Sequence, residues 1–143
     1  MGRARELANL FSGGSADINV KTSDGGILNL QTSDTTVTQD NVVGSIQFQA
    51  PDEGAGTDAI LVAAGIQAIS EGDFSSSSNA TTLQFLTGAS EAASAKMSLT
   101  SGGDVNVLTD GASIFFGADS EIELRHVADD GLILKHVGTG DGK

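Results

Sequence analysis

Residues 17–34 read DINVKTSDGGILNLQTSD, and the stretch says nearly the same thing twice. Ile18-Asn19-Val20-Lys21-Thr22-Ser23-Asp24 returns ten positions later as Leu28-Asn29-Leu30-Gln31-Thr32-Ser33-Asp34. Apolar residues fall at every second position, which is the period of a strand with one face turned to a core. Ser23-Asp24-Gly25-Gly26 between the copies has the composition of a tight turn. Each copy offers only two or three apolar side chains. At ~1.5 to 3 kcal/mol per buried aliphatic side chain against ~1 to 2 kcal/mol per residue of backbone ordering, one such hairpin cannot hold itself together. The repeat makes sense if copies stack along an axis or if several chains pool their faces.

The whole chain has the same character. Its 143 residues are 38% hydrophobic, with 6 Phe but no Trp or Tyr, so large core anchors are few. Gly, Ser, Thr, Asn and Asp crowd the sequence, as in turn-rich β proteins. There is no Cys, which excludes both a disulfide framework and a thiolate metal site as a supplement to a thin core. A formal charge of −12 with only 7 Lys and Arg argues against a nucleic-acid partner, because phosphate contacts need cations. No apolar run approaches the roughly 20 residues of a membrane span, and Ala59 to Ile69 is broken by Gly65 and Gln67. Met1-Gly2-Arg3-Ala4-Arg5 is not followed by the apolar stretch of a secretory signal, so synthesis and assembly in a cytoplasm are the expectation.

Four regions follow. In 1–16, RARELANLF places Leu7, Leu10 and Phe11 on one helical face beside Arg3 and Arg5, ahead of Gly13-Gly14. A helix this short needs a partner surface, so the segment is expected to be a short helix or extended docking arm. Region 17–43 holds the short β repeats, with Thr36 to Thr38 a possible third strand. Region 44–110 reads as a module of longer strands: Ile46 and Phe48 alternate with polar neighbours, and Leu83 and Phe85 share a face. Within Ala59 to Glu71 the β-branched residues and Gly65 favour strand over helix. Region 111–143 repeats at ten again, Leu124-Arg125-His126-Val127 against Leu134-Lys135-His136-Val137, around an Asp129-Asp130-Gly131 turn. Asp104 to Gly111 echoes the strand-plus-turn form.

Three ordered elements of the central module resemble the β-rich segment of bacteriophage tail fibres. Ala64, Ile66, Ala68, Glu71, Gly72 and Phe74 fill its A-x-I-x-A…E-G-x-F strand. Leu83, Phe85 and Thr87 fill its T-x-L-x-F-x-T strand. Lys96, Met97, Leu99, Ser101, Gly103, Asp104 and Val105 fill the K-M-x-L-x-S-x-G-D-V stretch, and Gly44-Ser45-Ile46-Gln47-Phe48 resembles the G-x-I-x-F strand before it. The likeness covers about 43 to 110. It implies a homotrimeric, mostly β appendage, and closing strands about a threefold axis also removes exposed edges. In that family the segment commonly leads to a receptor-binding tip or a chaperone domain, and neither is visible up to Lys143, so a longer fibre is expected.

The expected fold is therefore mostly β: a homotrimeric intertwined fibre of short strands and hairpin repeats. Ile46, Phe48, Ile66, Leu83, Phe85, Met97, Leu99, Leu124 and Leu134 are the candidate trimer core. Arg3, Arg5, Leu7, Leu10 and Phe11 are the candidate contacts to a tail or adaptor protein, with a host receptor engaged only indirectly through distal parts. A capsid decoration, head fibre or surface adhesin module is the alternative. His126 and His136 share a strand face with their apolar neighbours; a metal at a threefold axis lacks the carboxylate cluster or HxH pair that would support it. Gly54 to Ala59 spells G-x-G-x-x-A without a βαβ unit, so it is no dinucleotide fingerprint. No G-x-S-x-G occurs, and the absence of Trp and Tyr argues against a sugar-cleaving pair of acids, so neither an enzyme nor a cofactor is expected.

Overall fold

The structure, a computed structural model, describes residues 20–129 and 131–137. The chain divides into two units after Leu30. The described part of the first carries a turn at Ser23-Asp24, where the Thr22 hydroxyl donates to the Gly25 carbonyl at 2.6 Å. Gly25 has φ of +101°, a conformation that favours glycine. Leu28 to Leu30 form no strand, and neither do Thr36 to Thr38. Two or three apolar side chains do not offset the ordering of a hairpin, and the described part of the repeated segment, read as β, forms no strand. The expected N-terminal helix and Ile18 lie outside the described residues.

The second unit is all β, with no helix among the described residues. Five strands, β1 (Val42–Gln49), β2 (Val62–Ser70), β3 (Thr81–Thr87), β4 (Ser94–Leu99) and β5 (Val105–Val107), form one antiparallel sheet in sequence order. Three more, β6 (Ser113–Phe116), β7 (Ile122–Val127) and β8 (Gly131–His136), form a second antiparallel meander. Turn chemistry fixes both. Gly103, at φ +90°, closes the β4–β5 turn, in which Thr100 N–H donates to the Asp104 carbonyl at 3.0 Å. Asp110-Gly111 ends the next strand, with Gly111 at φ +74°, and Asp129 (φ +65°) with Gly131 (φ +99°) turns β7 into β8.

Polar clamps at the strand ends hold the first sheet. Ser70, 1% exposed, donates its hydroxyl to the Thr38 carbonyl at 2.5 Å and accepts from Asn41 N–H at 3.0 Å. Phe74 N–H donates to the Val37 carbonyl at 2.9 Å, so the approach to β1 is pinned on the exit from β2. Glu71 accepts from Ser101 N–H at 2.7 Å, the Ser101 hydroxyl at 2.5 Å and the Thr82 hydroxyl at 2.6 Å. The Ser101 hydroxyl, then the Thr82 hydroxyl and the Ser101 N–H, hold the Glu71 carboxyl below its ordinary value. One carboxylate thereby ties β2, β3 and the β4–β5 turn together.

Candidate association surface

The register of the first sheet sorts its side chains into two faces. Ile46 pairs with Ile66, Ile66 with Phe85, Phe85 with Met97 and Met97 with Val107, so one apolar row crosses all five strands. Beside it runs a second row, Gly44, Ala68, Leu83, Leu99 and Val105. Phe48 pairs with Ala64 on the same face. Directly opposed residues in an antiparallel pair project to the same side, so these rows make one continuous apolar face. A row of amides and hydroxyls backs it: Ser45, Gln67, Gln84, Ser98 and Asn106. Gln67 Nε2 donates to Gln84 Oε1 at 2.8 Å within that row.

Among the described residues, none of the large hydrophobic side chains on the apolar face is buried. Among the described residues no hydrophobic side chain is buried; the buried side chains are those of Ser70, Ser98 and Glu123. Phe85, central in its row, is 36% exposed, and Phe48 at the margin is 55% exposed. A sheet with one apolar face needs a second layer to make a core. Large contiguous apolar surfaces are uncommon on monomeric soluble proteins and are typical of interaction sites.

The second sheet follows the same rule. Ile114, Leu124 and Leu134 form one row; Phe116, Ile122 and His136 form the next; and His126 pairs with Leu132. The opposite side carries Phe115, Glu123 and Lys135, with Ser113, Arg125 and Ile133 alongside. Glu123 accepts from the Ser113 hydroxyl at 2.7 Å and pairs with Lys135 Nζ at 3.0 Å, and both partners hold its carboxyl below the ordinary value. Arg125 Nε lies 3.7 Å from Glu123, within ion-pair range but without a hydrogen bond. Val107 from the first sheet and Ile114, Leu124 and Leu132 from the second line one apolar pocket of about 130 Å³. The two apolar faces therefore meet across the β5–β6 connection.

The candidate core residues of the first sheet, Ile46, Phe48, Ile66, Leu83, Phe85, Met97 and Leu99, all lie on its apolar face, while Leu124 and Leu134 oppose one another on the second. Sequence reading missed Ala68, Val105, Val107, Ile114 and Phe116, although strand alternation from their neighbours points to each of them. Arg3, Arg5, Leu7, Leu10 and Phe11 lie outside the described residues. His126 and His136 are not opposite one another, and no group of three potential metal ligands occurs among the described residues. Gly54 to Ala59 lies in a turn-containing connection between β1 and β2, and the segment after it is strand. No family model, curated protein or solved structure matches the chain.

Proposed function

We propose that this protein is a structural polypeptide of a bacteriophage tail fibre, a homotrimer whose β body forms shaft. Residues 1–16 anchor it to the tail or its adaptor, and the shaft holds distal receptor-binding parts away from the particle. The observation that carries the self-association is the uncovered apolar face of β1–β5 in a chain with no buried hydrophobic side chain among its described residues. The tail-fibre assignment rests on the sequence resemblance, whose Glu71 and Ser101 are joined by hydrogen bonds in the fold. In this reading the function is mechanical, and the core lies between chains: Ile46, Ile66, Phe85 and Met97 are buried against other copies, with Leu124 and Leu134 continuing that core.

Native mass spectrometry of the full chain tests the subunit count, and a folded monomer at micromolar concentration overturns the trimer. Deletion of residues 2–11 tests the anchor. Trimers of the deleted chain are expected to persist while incorporation into particles is lost, as counted by electron microscopy. Normally fibred particles from the deletion would refute the anchoring role.

A further inference from the structure

The face of β1–β5 opposite the apolar rows carries a pocket. Gln47 pairs with Gly65 and Gly65 with Leu86, so this row alternates with Ile46, Ile66 and Phe85 and projects to the other side. Gly65 has no side chain to fill the gap between Gln47 and Leu86, and a Cβ there would lie 3.0 Å from the Ile46 carbonyl oxygen. The β3–β4 connection supplies one wall. Gly88 N–H donates to the Ala63 carbonyl at 2.9 Å and Ala93 N–H to the Val62 carbonyl at 2.8 Å, which ties that connection to the start of β2. The cavity so formed has a volume of about 250 Å³. Ser45, Gln47 and Gln67 are its polar lining, Val62, Leu86 and Ala93 are apolar, and no ionisable side chain lines it.

The chemistry of this lining selects its ligand. Gln67 Nε2 donates to Gln84 Oε1 at 2.8 Å, which fixes the Gln67 amide in place while its Oε1 remains an acceptor. Amides and hydroxyls offer both donors and acceptors, as a ligand hydroxyl does. A purely apolar ligand would strip water from these groups without replacing their hydrogen bonds. A charged ligand would find no counter-ion in the lining, and an anion would also meet a chain of net charge −12. What fits is a neutral molecule with hydroxyls along one edge and C–H groups on a face. A single sugar ring has both and is of a size to enter. We infer that this pocket binds a neutral sugar ring. Its hydroxyls meet Ser45, Gln47 and Gln67, and its C–H face lies against Val62, Leu86 and Ala93. With no Trp or Tyr to stack on the ring, the affinity is weak, with Kd in the millimolar range. The pocket is built by one chain and faces away from the proposed association surface, so it does not depend on subunit count.

NMR titration of the full chain tests this, with the side-chain amide signals of Gln47 and Gln67 as reporters. The probes are the methyl glycosides of glucose, galactose and mannose. Methyl glucuronide, which adds a carboxylate to the ring, and cyclohexanol, which lacks the hydroxyl edge, are the comparisons. At least one neutral glycoside is expected to shift both signals saturably, while the two comparison compounds at equal concentration do not. Gln47→Ala, on the edge strand, should weaken binding about tenfold, and Ala93→Leu, which fills the pocket, should abolish it. Asn106→Ala, at the far end of the same polar face and outside the pocket, should leave the affinity unchanged. No saturable shift with any of the neutral glycosides up to ~100 mM overturns the inference. So does equal binding of the glucuronide or of cyclohexanol, or full affinity in Gln47→Ala. Because the wild-type titration stands alone, poor folding of a variant does not rescue the idea. A monomer that binds the sugar overturns the trimer reading and leaves this inference standing; a trimer that does not bind overturns this inference alone.

Discussion

Phe85→Asp is the most informative substitution, because Phe85 sits at the middle strand of the apolar row Ile46, Ile66, Phe85, Met97, Val107. The side chain is already about two-thirds covered by its own sheet, with 36% exposed. A Phe buries ~200 Å² when fully enclosed, so trimer formation stands to cover roughly 70 Å² more on each chain. At ~25 cal/mol per Å² this is about 1.5 to 2 kcal/mol per chain, or about 5 kcal/mol over three copies. Phe85→Ala loses most of that, which weakens trimerisation by roughly a thousandfold at about 1.4 kcal/mol per decade. Phe85→Asp adds an unpaired carboxylate to each copy at several kcal/mol apiece, and these carboxylates face one another. No trimer should then survive at micromolar concentration. The matched control is Gln84→Asp, one residue away on the opposite face, which loses the Gln67 hydrogen bond at about 1 kcal/mol but buries no charge between copies. Sedimentation velocity and native mass spectrometry read both variants. A Phe85→Asp trimer as stable as wild type, or Gln84→Asp dissociating as completely as Phe85→Asp, would refute the assignment of faces.

Two further predictions concern the clamps and turns. Glu71→Gln removes a carboxylate that accepts three hydrogen bonds, so its melting temperature should fall at neutral pH. Because the folded carboxyl is held below its ordinary value of 4.5, the stability it adds is present above that value and is lost as pH falls through the depressed one. The Gln variant should therefore show a shallower acid limb in calorimetric scans below pH 4.5; an unchanged limb counts against the clamp. Gly103→Ala places a Cβ at φ +90° in the β4–β5 turn and should cost about 1 to 2 kcal/mol in chemical denaturation, with no loss of subunit count. A neutral result would mean that the turn tolerates another conformation.

Strand identity was legible for several of the segments that alternate beside a turn. Ile46 and Phe48, Leu83 and Phe85, and the Leu124 and Leu134 repeat all belong to strands, and Asp110-Gly111 and Asp129 mark turns as their composition indicates. The opening repeat misled at the same level, since Leu28 to Leu30 alternate well yet pair with nothing in the described chain. Periodicity reports which face a residue would take if a strand formed, and strand formation itself requires a ladder partner. The β2 run shows the complementary case: Ile60, Ala63, Ala64 and Ala68 have roughly helical spacing, Gly65 and the β-branched residues favour strand, and cross-strand neighbours on both sides of β2 make it a strand. The clamps are harder to read. Glu71 reaches Ser101 across a sequence separation of 30 residues, and no local pattern encodes that contact.

The distribution of charge connects fold to association. In a chain of net charge −12, β1 to β5 contain no Asp or Glu, and Glu123 in β7 is the one acidic residue in any described strand. Glu123 is also ion-paired with Lys135 and hydrogen-bonded by the Ser113 hydroxyl. The remaining described carboxylates lie in turns and connections, where they can repel one another without entering a shared core. Long uncharged strands with exposed edges ordinarily invite uncontrolled pairing, and β1 is such an edge, eight residues long, interrupted by two register irregularities. Acidic connections such as Asp52 to Asp58 beside that edge oppose stacking in arbitrary register, while a face-to-face arrangement leaves them in solvent. Carboxylates concentrated in turns and connections, and kept off the two apolar faces, thus oppose indiscriminate aggregation while remaining compatible with the proposed self-association.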